Sequence, residues 1–169
     1  MKLIILGAGG HGKVVADIAQ QTNKYEKIFF LDDKSQESNV LGKCEEYLKF
    51  KDEDVEMYPA FGNNKFRIEW EEKLEKNGIK LAKIIHPLAY ISPLAKIEDG
   101  CVVMPYAIVN TNVKLGKGCI VNCGSIVDHD CILNKGCHLA PGAIVKGENI
   151  LPEYTKVDSG EVIPLGMYK

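Results

Sequence analysis

Long apolar runs are missing from this chain. Nothing in it approaches the roughly 18 apolar residues of a membrane-spanning helix, so hydropathy offers no membrane span and no membrane partner is expected. The opening MKLIILGAGG puts Lys2 and a short aliphatic run before Gly7, less than the roughly 7–15-residue core of a secretory signal. A basic surplus is also missing. The 21 Lys+Arg and 23 Asp+Glu leave a formal net charge of -2, which argues against a nucleic-acid partner. No acidic tract marks a solvated tail. Six cysteines occur, but no two in the close Cys-x-x-Cys spacing of a zinc site, and no metal is expected. These absences leave a cytoplasmic, soluble protein whose thiols stay reduced. What remains is a chain of 169 residues and 46% hydrophobic composition, enough for one domain or two small ones.

The first part of the chain alternates strand-like and helix-like patterns. KLIIL is a short aliphatic run. GAGGHGK comes next as a glycine turn, and VVADIAQQ carries Val14, Val15, Ile18 and Ala19 at helical spacing. KIFFLDD reads as a second strand ending in acids, MYPAFGNN as a third, and LAKII as a fourth. KFRIEWEEKLEKNG reads as an amphipathic helix stopped by Asn77-Gly78, with Glu71, Glu72 and Lys76 on its solvated face and the single Trp70 toward the core. Strands alternating with helices imply a parallel α/β sheet. The expected boundaries are 1–83 for this small Rossmann-like unit and 84–169 for a second unit of different character.

Beyond that boundary the periodicity changes. Every sixth residue from Ile91 to Ile163 is aliphatic, and four places after each comes a mostly small one, including Cys101, Cys119, Cys131 and Cys137. This is a hexapeptide repeat, the mark of a parallel β-helix in which each coil covers its neighbour's edge. In that register the cysteines occupy the small slot and serve as packing residues.

VDHDCILNKGCH, residues 127–138, carries the chemistry. His129 comes two places after the inward Val127, so it points outward or sits at a corner. If three hexads make one coil, Gly147 lies one coil above it on the same edge. A histidine titrating near neutrality suits the proton transfer of acyl transfer, and a bare backbone lets a ligand come close. On the residues alone, His129 is either that base or a solvated turn histidine between two acids. Cys123 is the one candidate for a covalent route.

The glycine turn has Gly7, Gly9 and Gly12 at the G-x-G-x-x-G positions, between a strand and a helix whose N-terminus can take a pyrophosphate. Asp32 and Asp33 end the second strand, as a dinucleotide site would want. The segment, however, has room only for a mononucleotide. Lys13 is either a phosphate neutraliser or a solvated helix residue, and His86, before Pro87, is a junction residue without chemistry.

GAGGHGK, FLDD, FGNNKFR, His86-Pro87, VNCGSIVDHDC and HLAPGAIVKGEN together resemble the PglD/NeuD family of bacterial sugar O-/N-acyltransferases. The resemblance implies a left-handed β-helix, a homotrimer, and acetyl-CoA bound between adjacent subunits. It makes His129 the catalytic base, Asp130 the acid that raises its basicity, and Gly147 a backbone contact to the acetyl group. His138 becomes an acetyl-CoA contact reached from a neighbouring subunit. Gly9, Gly10 and His11 become loop contacts to a nucleotide-activated, UDP-linked amino sugar, Asp32 and Asp33 its nucleoside or sugar contacts, and Gly62 a further contact. The expected reaction is direct acetyl-CoA-dependent N-acetylation, with sugar O-acetylation as the alternative acceptor chemistry. The last hexads, LPEYTK and VDSGEV, are irregular and the chain stops at IPLGMYK, which leaves a non-catalytic trimeric sugar-nucleotide binder as the other alternative.

Overall fold

The computed structural model describes residues 1–169, which divide into two compact units, Met1–Ala82 and Lys83–Lys169. In the first, β1 (Lys2–Leu6), β2 (Lys27–Leu31), β3 (Val55–Pro59) and β4 (Lys80–Leu81) form a parallel sheet in the order β2-β1-β3-β4. KLIIL takes the centre because its four aliphatic side chains all require burial, and a parallel sheet covers both faces. Helix α1 (Gly10–Gln21) comes after β1, and α2 (Asn64–Lys76) after β3. The Asn63 side chain caps α2 by accepting from the Phe66 N–H at 3.0 Å. Gly78 ends that helix in the left-handed region, at φ +71.

Three details differ from the sequence reading. The third strand is Val55–Pro59, and a 3-10 segment, Cys44–Phe50, precedes it where no element was expected. LAKII is not one strand: Leu81 completes the α/β sheet, whereas Ile84–Ile85 pairs with Val102–Val103 and begins the first coil. Ile85 stands one hexad before Ile91, so the repeat starts earlier than its recognised first member. Glu71 is not solvated. It is fully buried, as is Arg67 one turn before it on the same face of α2. Trp70 is core, packed edge-on against Tyr47 at 6.0 Å between ring centroids.

The second unit is a left-handed β-helix of two-residue strands on three faces. One face stacks Lys96–Ile97, Lys114–Leu115, Ile132–Leu133 and Ile150–Leu151. The next stacks Ile84–Ile85, Val102–Val103, Ile120–Val121, His138–Leu139 and Lys156–Val157. The third stacks Tyr90–Ile91, Ile108–Val109, Ile126–Val127, Ile144–Val145 and Val162–Ile163. The second residue of each strand points inward. From Val103 to Ile163 these residues are at most 5% exposed and form one continuous core with Cys101, Cys119, Cys131 and Cys137, all free thiols. Each such aliphatic contributes about 1.5–3 kcal/mol by leaving water. The irregular last hexads keep this geometry, with Leu151, Val157 and Ile163 in the core.

From Gly100 onward, each corner between faces turns through one residue in the left-handed region. At two of the corners that residue is mostly glycine: Gly100, Gly118 and Gly136 at one, Gly124, Gly142 and Gly160 at the other. The third corner instead places Asn112, Asp130 and Glu148 there, at φ 59, 57 and 60, with glycine only at its last turn, Gly166. A side chain in this region costs about 1 kcal/mol or more, least for Asn and Asp. The polar column is kept at a corner where glycine would fold more cheaply, and His129 sits beside it.

Candidate active site

His129 lies in the turn between Ile126–Val127 and Ile132–Leu133. Its Nδ1 is 2.9 Å from Asp130 Oδ2, and its Nε2 is 3.9 Å from Asp128 Oδ2. Asp128 Oδ1 accepts the His129 backbone N–H at 2.8 Å. Each acid is held from the coil below. Asn110 donates to Asp128 at 3.1 Å, and Asn112 donates to Asp130 at 2.9 Å. The coil above supplies the wall. A Cβ placed on Gly147 would fall 2.6 Å from His129 Cε1 and 2.7 Å from Nε2. Only glycine lets the imidazole lie where it does.

This arrangement sets the state of the ring. The hydrogen bond to Asp130 raises the His129 pKa above 6.5, helped by the negative field of Asp128, Asp130 and Glu148. Asp130 is held below the usual carboxylate range by Asn112 and by His129. An ionised Asp130 on Nδ1 fixes the proton there in the neutral ring and leaves the Nε2 lone pair free to accept another. Gly147 itself is held by Asn149, a fully buried side chain whose Nδ2 donates to the carbonyls of Lys146 at 2.7 Å, Gly147 at 3.3 Å and Pro164 at 2.9 Å.

Asn110, Asn112 and Asp128 were not singled out from the sequence. Their signal was present. Parallel pairing puts residues 18 apart in register, as with Ile126↔Ile108, and subtracting that spacing sets the Asn-Thr-Asn of residues 110–112 under Asp-His-Asp.

His138 is brought elsewhere. It begins a strand on the face opposite the His129 corner, with Nε2 3.4 Å from Asn122 Nδ2. Cys123 lies at a different corner, exposed, its Sγ 3.9 Å from Met104 Sδ. No three His, Cys, Asp or Glu side chains are grouped closely enough to hold a metal ion. No helix is long and apolar enough to cross a membrane.

In the α/β unit the glycines divide by role. A Cβ on Gly12 would fall 2.0 Å from the Gly7 carbonyl oxygen, so that glycine is demanded by helix–strand packing. Gly9, Gly10 and Gly62 face open space, where a Cβ would touch nothing within 4 Å. Asp32 accepts the backbone N–H groups of Ala8, Lys34 and Ser35, each at 2.8 Å. Partial burial would raise its pKa, but these bonds outweigh it and the net shift is downward. Asp32 therefore shapes the glycine loop. Asp33 accepts the Cys44 N–H at 3.0 Å. His11 Nε2 is 3.2 Å from the Tyr58 hydroxyl. Burial, then the charge of Arg67, lowers its pKa to about 4, so it is neutral near pH 7. Lys13 pairs with Glu37 at 2.7 Å. His86 is a buried turn residue whose Nδ1 accepts from the Leu88 N–H.

A small parallel α/β unit followed by a left-handed β-helix, with a histidine–carboxylate pair at one corner, defines a hexapeptide-repeat transferase architecture. Comparisons with known proteins agree. Residues 2–74 match the PglD N-terminal domain, and residues 94–129 match the bacterial transferase hexapeptide (six repeats). The acetyltransferase domain of PglB from Neisseria gonorrhoeae FA1090, solved in complex with acetyl coenzyme A, superposes with a TM-score of 0.95 at 38% identity, over 98% of this chain and 82% of that one. A variant of perosamine N-acetyltransferase from Caulobacter crescentus, in complex with CoA and GDP-perosamine, superposes with a TM-score of 0.92 at 27% identity, over 98% of this chain and 81% of that one. The UDP-N-acetylbacillosamine N-acetyltransferase of Bacillus subtilis (strain 168) is 32% identical over 109 residues, 59% of this chain. The match spans half the length of that curated relative, 50%. The chain belongs to the PglD/NeuD family of hexapeptide-repeat sugar acyltransferases.

Proposed function

We propose that this protein transfers an acetyl group from acetyl-CoA directly to the amine of a nucleotide-linked amino sugar, with His129 as general base. The carrying observation is the ring itself: Nδ1 anchored on Asp130, Nε2 open, Gly147 against its face. The amine nitrogen attacks the thioester carbonyl and its proton passes to Nε2. The carbonyl oxygen gains charge, which the Gly147 backbone N–H would stabilise. The carbon–sulfur bond then breaks, and the thiolate recovers the proton from the imidazolium. Asp130 holds the tautomer throughout.

Relatives support both co-substrates. One was solved with acetyl coenzyme A, another with CoA and GDP-perosamine, and a third is named for a UDP-linked sugar. We assign a UDP-linked acceptor to this chain, bound by Gly9, Gly10, His11, Asp33 and Gly62, with Asp32 holding the loop in shape. Lys13 would have to leave Glu37 to meet a phosphate. A homotrimer is part of the reading. Tyr90, Ile108, Ile126, Ile144 and Val162 point outward in one apolar stripe along a parallel sheet face, with Tyr90 55% and Val162 45% exposed. Parallel sheets are normally covered on both faces. A neighbour against that stripe would let its own copy of His138 approach acetyl-CoA at this chain's His129. Both co-substrates set the reaction in the cytoplasm.

His129→Ala tests the assignment. Release of free coenzyme A, measured across UDP-, GDP- and dTDP-amino sugars, is expected to fall by about 10²–10⁴ in kcat with the oligomer intact. Unchanged turnover would remove the base.

A further inference from the structure

We propose that Lys96 and Lys114 hold the pyrophosphate of the nucleotide-linked acceptor in a groove beside the His129 corner. The inference rests on the reading above for the ligand's identity and on the β-helix alone for the site.

A groove of about 390 Å³ is lined by Leu94, Lys96, Asn112, Lys114, Asp130 and Ile132. These residues form two columns set by the coil repeat. Leu94, Asn112 and Asp130 make the corner wall, and Lys96, Lys114 and Ile132 make the floor. Lys96 and Lys114 are direct partners in the parallel ladder, and both side chains are exposed. Neighbouring strands lie about 4.8 Å apart, and like charges directly opposite one another on a sheet face repel. Asp130, the one acid lining the groove, is committed to Asn112 and His129. Two lysines thus stand at adjacent rungs of the ladder with no uncommitted acid lining the groove, which leaves the compensating charge to an outside anion.

The position of the pair selects the anion. Ile132 belongs to the coil of His129, Lys114 to the coil below, and Lys96 to the next, so the cations lie roughly 5–10 Å down the axis from the base. One sugar ring separates the amine of a nucleotide amino sugar from its diphosphate. The pantetheine arm that separates the thioester of acetyl-CoA from its pyrophosphate is several times longer. The short spacing therefore fits the acceptor. The glycine loop of the α/β unit offers N–H groups but little positive charge, because His11 is held neutral and Lys13 is paired with Glu37.

The test is the double variant Lys96→Gln/Lys114→Gln, compared with the unaltered protein by calorimetric titration with UDP, coenzyme A and inorganic pyrophosphate. Affinity for UDP and pyrophosphate is expected to fall about tenfold, and KM for the nucleotide sugar to rise by about as much at little-changed kcat. Thermal stability should hold or rise as the repulsion is relieved; a merely structural pair would lower it. A loss confined to coenzyme A and pyrophosphate overturns the assignment to the acceptor and gives the groove to the acyl donor. Equal affinities for all three probes in both proteins overturn the proposal. If the unaltered protein transfers no acetyl group, yet its pyrophosphate binding is weakened by the double substitution, the reaction falls and the groove stands.

Discussion

Gly147→Ala is the sharpest perturbation of the site, because it adds one methyl group and nothing else. The backbone at Gly147 is not in the left-handed region, so alanine fits the chain without strain. The Gly→Ala change by itself is worth up to about 0.4–1 kcal/mol in favour of folding. The conflict is with His129. The new carbon would sit 2.6 Å from Cε1 and 2.7 Å from Nε2, whereas ordinary carbon contacts lie at about 3.5–4.0 Å. The imidazole has to move by about 1 Å. A shift of that size takes the 2.9 Å contact with Asp130 out of hydrogen-bond range. Misplacement of a reacting group by about 1 Å costs on the order of 10² in rate. The expected result is a roughly hundredfold fall in kcat, measured by coenzyme A release, with an unchanged or slightly higher Tm. NMR titration of His129 should show its pKa falling back toward 6.5, because the bond that raises it is lost. Wild-type turnover with an unmoved histidine titration would refute the reasoning from Gly147 to ring to proton transfer.

Four further outcomes are expected. The base works only when neutral, so kcat should rise with pH through a limb above 6.5, where the raised His129 pKa lies. Asp130→Asn should shift that limb downward and reduce kcat by about tenfold or more, and a limb that stays put would separate Asp130 from the titration. The same raised pKa means that His129 stabilises the fold at pH below 6.5 and that this contribution is lost as pH rises through its folded value. In the α/β unit, Gly12→Ala puts a methyl 2.0 Å from the Gly7 carbonyl oxygen and should destabilise by about 1–3 kcal/mol, roughly 5–20 °C in the Tm of that unit. A thermal melt moved by less than about 2 °C would show that α1 slides away without cost.

Much of the β-helix was legible because its rule is local. A hexad repeat states which side chain faces inward, and every inward residue from Val103 to Ile163 is buried as that rule requires. The cysteines in the small slot came from the same register. His129 and Gly147 came from it too, once three hexads were taken as one coil. The polar ladder beneath them needed the same subtraction applied to Asp128 and Asp130, and the left-handed column needed a comparison of Asn112, Asp130 and Glu148 with the glycines of the other corners. Both lay in the sequence as arithmetic. Glu71 was misplaced for a different reason. Amphipathic patterning treats charge as solvated, and only the packing of α2 shows that face carrying Arg67 and Glu71 inside. The split of LAKII was equally hidden, since a run of aliphatics does not say with which sheet each half will pair.

The order of residues thus determined the alternation of elements, the coil period and the corner on which the histidine stands, because strand and hexad periodicities are written in neighbouring side chains. Tertiary structure alone decided the state of that histidine. Its proton is placed by a carboxylate, the carboxylate by an asparagine one coil below, and the ring by a missing methyl one coil above. The carboxylate is the histidine's neighbour in the chain, but Asn112 and Gly147 are each about one coil away along it and reach the pair only when the coils stack.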